Sequence, residues 1–171
     1  MKKKNLYAGI DESNHGRFPE VFALILSNKE KDTQKNHFEK NRKNYSSFLK
    51  KVYRRDYSYL LLHEKLKSEI PSGKLLPQIV YSLFYPFDFS DVTKLTLYID
   101  GLKEDKEIDS ISNMFFDKFN LEESQLEIIS QDYLDQNNYL VYLADGLAHY
   151  VFRKKTLESI SQDKHYCPLI L

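Results

Sequence analysis

Leu6-Tyr7-Ala8-Gly9-Ile10-Asp11-Glu12 is an apolar run that ends on two acids. Two later segments repeat the pattern: Leu95-Thr96-Leu97-Tyr98-Ile99-Asp100-Gly101, and Leu140-Val141-Tyr142-Leu143-Ala144-Asp145-Gly146-Leu147-Ala148. Burying a carboxylate is costly unless a cation or hydrogen bonds compensate it. Three core segments that each carry an acid therefore call for a compensating partner, and a divalent cation is one that all three can share.

Working outward from the first segment, residues 5–11 and 20–27 read as two strands of a hairpin, joined by a polar connection with Gly16 and Pro19. Residues 33–55 turn basic and aromatic, with Phe38, Tyr45, Phe48, Leu49 and Val52 near helical spacing, and predict an inserted helix or arm. A third strand is expected at 57–62. Pro71-Ser72-Gly73 then opens a helix through Leu76, Ile79, Val80, Leu83 and Phe84, which Pro86 stops. In residues 94–100, Leu95, Leu97 and Ile99 alternate with Thr96, Tyr98 and Asp100, so the acid falls on the second face of a strand. A helix at 105–118, a strand at 126–129 and a long apolar helix at 137–154 complete the order. The expectation is one α/β domain over 1–171: a five-stranded mixed sheet flanked by helices, with the basic insertion between the second and third strands and a C-terminal tail at 156–171.

In that arrangement the acids converge. If the first strand and the 94–100 strand lie parallel and adjacent, Asp11 and Asp100 meet at their ends. Glu12 begins the turn at the same edge, and Gly101 lets the backbone bend sharply. Val141, Asp145, Ala148 and Phe152 are spaced by four, three and four, which puts Asp145 on an otherwise apolar helix face beside the small Ala144 and Gly146. Like charges so placed repel. Hard oxygen ligands without cysteine or clustered histidine select magnesium or manganese over zinc, and two such ions activate a water and stabilise the leaving oxygen in phosphodiester cleavage. Asp11, Glu12, Asp100 and Asp145 are the candidate metal ligands and catalytic residues. Taken singly, Asp11 and the Asp100-Gly101 pair also fit ordinary turns.

At 171 residues and 20.3 kDa the chain can bury a core without disulfides or structural metal. Its single cysteine, Cys167, excludes an intramolecular disulfide and a thiolate cluster, and fits a reducing compartment, the cytoplasm. No apolar stretch approaches the roughly 18–20 residues of a membrane span, and the Lys-rich start leads into a strand rather than a signal-peptide core. Net charge is zero but uneven: residues 29–67 hold 12 Lys or Arg against 5 Asp or Glu, and residues 88–145 hold 4 against 14. That split suits a protein that binds phosphates on one surface and cations on another, as it suits a chain that balances its own surface.

Lys50, Lys51, Arg54, Arg55, Arg42 and Lys43 are interleaved with Phe38, Tyr45, Phe48 and Tyr53, a combination that suits nucleic acid and equally a solvated helix that buries its aromatics. Asn14 and His15, just past the first acids, are further candidate contacts. Glu64 is placed to supply a further metal ligand, but reads rather as a surface acid paired with Lys67. Asp132 and Asp135 follow the last strand, where a ligand or a helix cap is in place.

The stretch from Tyr7 to Gly16 resembles the Gly-Ile-Asp-Glu-Ala-Gly-Arg-Gly opening of ribonuclease HII, matching at Gly9 through Glu12 and again at Gly16. Ile99-Asp100-Gly101 resembles that family's central Asp-Gly strand end. A closer similarity is to the ribonuclease H-like proteins that open with Asp-Glu-Ser-Gly and close with an Ala-Asp pair in the last helix, here Asp11-Glu12-Ser13 and Ala144-Asp145. The resemblance implies a ribonuclease H-like fold, Mg2+ or Mn2+ held by Asp11, Glu12 and Asp100 with Asp145 in the place of the last helix's acid, and a nuclease acting on nucleic acid. Asn14-His15 stands where ribonuclease HII has Gly-Arg, which leaves RNA, DNA and their hybrid open as substrates. The alternative is a non-catalytic ribonuclease H-like module that binds nucleic acid or a protein.

Overall fold

The computed structural model describes residues 4–13, 16–34, 45–155 and 157–171. Five strands form one sheet: β1 (Lys4–Ser13), β2 (Glu20–Ser27), β3 (Asp56–Leu62), β4 (Val92–Asp100) and β5 (Leu126–Gln131), in the order β3-β2-β1-β4-β5. β2 is antiparallel to both its neighbours, while β1, β4 and β5 are mutually parallel. The C-terminal ends of β1, β4 and β5 therefore lie at one end of the sheet, and the starts of β1 and β3 at the other. The helices are α1 (Tyr45–Val52), α2 (Glu64–Glu69), α3 (Ser72–Phe84), α4 (Asp105–Phe119), α5 (Tyr139–Lys154) and α6 (Leu157–Ser161). None is long and apolar enough to cross a membrane.

The period of two along the strands divides the core. Leu6, Ala8 and Ile10 of β1 and Leu95, Leu97 and Ile99 of β4 pack against Ile79, Leu83 and Phe84 of α3 and Ile111 and Phe115 of α4. On the opposite face Val21, Ala23 and Ile25 of β2 lie under α5, with Tyr59 and Leu61 of β3 and Phe48, Leu49 and Val52 of α1 beside them. β2 is covered on both faces, so all eight of its residues are buried, which is why its sequence is a nearly unbroken apolar run.

Two contacts set α5 on the sheet. Asn138 caps it, its Oδ1 accepting the N–H groups of Leu140 at 2.9 Å and Val141 at 3.2 Å. A Cβ at Gly9 would lie 2.5 Å from the carbonyl carbon of Leu140 and the nitrogen of Val141, so only glycine lets the first turn of α5 press onto β1.

The insertion between β2 and β3 includes a 3-10 turn, Glu30–Thr33, and the short α1; residues 35–44, with Arg42 and Lys43, lie outside the described residues. The expected C-terminal tail is in fact docked. Cys167 N–H donates to Tyr59 O at 2.8 Å, Tyr59 N–H to His165 O at 3.0 Å, and Ile170 N–H to Ser82 Oγ at 2.9 Å, so the segment runs along the outer edge of β3. The backbone groups of an edge strand draw such a partner.

Candidate active site

β1 runs to Ser13, two residues beyond its expected end, because its pairing with β2 continues through Ser13 and Val21. Asp11 is aligned with Ala23, whose side chain faces α5, so Asp11 faces α5 as well. On β4 the alternation that sends Leu95, Leu97 and Ile99 toward α3 and α4 sends Asp100 to the α5 side. The register pairs Ile10 with Ile99, which leaves Asp11 and Asp100 as the next residue on each of two adjacent parallel strands. Asp145 comes from α5, one turn beyond the contact with Gly9 and between the buried Ala144 and Gly146. All three acids are half-buried.

Their electrostatics follow from that placement. Burial raises the Asp11 carboxyl most, the Asp145 and Asp100 carboxylates raise it further, and Asp135 adds a smaller push, so that it titrates at about 9 despite accepting the Glu12 N–H at 2.7 Å. Asp100 is oriented from below: its Oδ1 accepts the N–H of Leu134 at 2.6 Å and of Asp135 at 3.4 Å. The exit of β4 is latched to that of β5, with Gly101 N–H on Gln131 O at 3.1 Å and Leu102 N–H on Asp132 Oδ1 at 2.9 Å. Gly101 makes the turn at φ 79°, as its residue type predicts.

Several expectations change. Glu12 is aligned with Phe22, whose side chain packs on the α3 side, so Glu12 leaves the strand on the pleat opposite Asp11 while its N–H donates to Asp11 Oδ1 at 2.7 Å. Neither Asp132 nor Asp135 caps α5, since Asn138 does. Asp135 is instead the acid that sequence reasoning undervalued, and its signal was its distance of only ten residues from Asp145 across a tight 3-10 turn, Leu134–Gln136. Lys67 pairs with the buried Glu20 at 2.8 Å rather than with the exposed Glu64. Phe152 is 39% exposed rather than on the covered face, while its neighbour Val151 is in the core.

Among the predicted nucleic-acid contacts, Asn14, His15, Arg42 and Lys43 lie outside the described residues. Lys50 and Arg54 are exposed, and Lys51 is half-buried. Arg55 is committed elsewhere: its Nη2 lies 3.1 Å from Asp32 Oδ1, its Nε donates to Asp32 Oδ2 at 3.2 Å and its Nη1 to Lys51 O at 2.7 Å, with the guanidinium 5.3 Å from the Tyr139 ring centre. A fork so engaged anchors the end of α1. Arg54 and Arg55 also directly precede β3, at the end of the sheet opposite the acids.

The donor chemistry fits a hard divalent cation: oxygen ligands only, mutually repelling, on a half-buried shelf. Among the described residues no three His, Cys, Asp or Glu side chains are already gathered as a metal site.

No family model matches the sequence, and no curated protein does. Solved structures do match. Bst-RNase HIII in complex with Mn2+ superposes with a TM-score of 0.55 at 15% identity, covering 94% of this chain and 54% of that one. The RNase HII of the PCNA:RNase HII complex from Archaeoglobus fulgidus gives 0.60 at 14% identity, with 94% and 81% covered. The ribonuclease H2 from Pyrococcus horikoshii OT3 gives 0.52 at 16%, with 94% and 80% covered. The fold is ribonuclease H-like. The chain spans about half the length of Bst-RNase HIII, at 54%, and most of the two archaeal enzymes. A ribonuclease H-like sheet with acids at the ends of its two central parallel strands is thus common ground between sequence and structure, whereas identities of this size carry no activity across.

Proposed function

We propose that the chain is a divalent-metal-dependent nuclease that hydrolyses phosphodiester bonds in RNA, DNA or their hybrid. The observation that carries this reading is the meeting of Asp11, Asp100 and Asp145 on one face at one end of the sheet, with Asp11 pushed up to about 9 by burial and by the other two. Those three would hold Mg2+ or Mn2+, with Glu12 as a fourth ligand and Asp135 at the margin. Ions bound there supply a water of lowered pKa and charge to stabilise the leaving oxygen. The chain's own part is orientation. The Glu12 N–H steers Asp11, the Leu134 N–H steers Asp100, and the capped α5 holds Asp145 over both. In the reading we favour, the chain is a single domain over 1–171, and Asp11-Glu12-Ser13 with Ala144-Asp145 assigns it to the Asp-Glu-Ser-Gly group of ribonuclease H-like proteins.

The test is calorimetric titration of wild type and Asp145→Asn with Mn2+, beside cleavage of labelled RNA, DNA and hybrid. Saturable binding in the wild type, with binding and cleavage both lost in the variant by on the order of a hundredfold or more, is expected. Nucleic-acid binding without cleavage or Mn2+ uptake in the wild type would replace the nuclease by a non-catalytic binding module.

A further inference from the structure

A second feature lies at the end of the sheet away from the acids. There a groove of about 460 Å³ is lined by the start of β1, the end of β2 and the turn after it, the α1–β3 connection and the α3–β4 connection. Its cations are Lys4, Lys29, Arg54 and Arg55, and its acids are Asp32, Asp56 and Asp88; Arg55 is bonded to Asp32, which Lys29 also faces, and Lys4 faces Asp88, so the groove keeps one positive charge in excess and Arg54 is an exposed cation. Tyr53 forms part of the wall and is 56% exposed.

Tyr53 is also the outer member of a column of rings. Its centre lies 5.8 Å from that of Tyr57 with 30° between the planes, and Tyr57 in turn lies 3.8 Å from His165 at 20°. The column joins α1, β3 and the docked C-terminal segment, and His165 Nδ1 sits 3.0 Å from Tyr57 O, which fixes the inner ring. Lys164, exposed, flanks it.

A pre-ordered aromatic ring on the wall of a groove with cations in excess over acids is the pairing that holds unpaired nucleic acid: bases stack on the ring without regard to sequence, and phosphates follow the cations. A duplex hides the faces of its bases and has nothing to offer the ring. We propose that this groove is a second nucleic-acid site that takes a single-stranded segment, with one base stacked on Tyr53 and the adjoining phosphates along Lys4, Lys29 and Arg54. The proposal rests on the reading of the chain as a protein that acts on nucleic acid, and it gives that protein a grip remote from the acids.

The test is fluorescence anisotropy of the full chain with a short labelled oligonucleotide, single-stranded or annealed to its complement, in EDTA so that no cleavage intervenes. Tyr53→Ala is expected to weaken single-strand binding about tenfold, Tyr53→Phe to restore it, and Arg54→Glu to weaken it and flatten its salt dependence. Duplex binding should not respond to Tyr53→Ala. Because Tyr53 is exposed, its truncation should leave the melting temperature in place. Single-strand binding that is absent in the wild type, or unchanged in both Tyr53→Ala and Arg54→Glu, would overturn the site. Cleavage assays on the same preparations separate the two readings: Tyr53-dependent binding without cleavage keeps the groove and removes the nuclease, and cleavage with Tyr53-independent binding does the reverse.

Discussion

The two faces of the sheet use the same two strands for different ends. Toward α3 and α4, β1 and β4 present Leu6, Ala8, Ile10, Leu95, Leu97 and Ile99, all buried. Toward α5 they present Tyr7, Gly9 and Asp11, and Thr96, Tyr98 and Asp100. The first face removes apolar surface from water and stabilises the domain. The second places carboxylates side by side and destabilises it, and a chain can carry that load only because residues one position away on each strand are ordinary core. Stability and chemistry are thus interleaved residue by residue along one strand, so neighbouring substitutions should have opposite consequences.

The largest expected effect is on the stabilising face. Ile10→Ala removes a 2% exposed side chain and should cost about 4 kcal/mol in a denaturant melt, whether or not metal is present. One residue earlier, Gly9→Ala forces a Cβ onto the backbone of α5 at 2.5 Å, where no side chain can swing aside, and should cost about 3 kcal/mol. If the loss is instead small, α5 can slide on β1, and cleavage should fall more than stability does.

The next residue along should reverse the sign. Asp11 titrates at about 9 in the fold against an ordinary 3.8. Between those values the folded protein keeps a proton that the unfolded chain has released, so the metal-free wild type loses stability as pH rises through the window. An asparagine side chain at this position has no such proton to lose. In EDTA, Asp11→Asn should therefore be the more stable protein, by a margin that grows from pH 5 to 9 at no more than about 1.4 kcal/mol per pH unit. A margin that does not change with pH would mean that Asp11 is neither buried nor confronted by Asp145 and Asp100, and the contrast between the faces would fail.

Much of this was legible in the sequence because it rests on short-range periodicity. Alternation in 94–100 put Asp100 opposite Leu95, Leu97 and Ile99, and the spacing around Asp145 put it on the covered side of a helix. The failures came where register or a distant partner decides. That β1 continues to pair with β2 past Asp11, as far as Ser13, is something no local signal gives. Arg55 looked like a free cation until Asp32, 23 residues earlier, was found holding it. The helix cap, expected at Asp132 or Asp135, falls to Asn138, closer to the first turn of α5.

Asn138 sets more than a helix boundary. Each residue of an α-helix turns the chain by about 100°, and Asp145 stands seven places after the cap, close to two full turns. Its bearing toward Asp11 is therefore a matter of counting. One alanine inserted between Asn138 and Asp145 would leave composition, charge and helix propensity almost untouched, yet would swing the acid about 100° off the shelf. A deletion of one would swing it as far the other way. What this stretch of the chain has to keep is an interval, and a gap of one residue there would be graver than most changes of residue type.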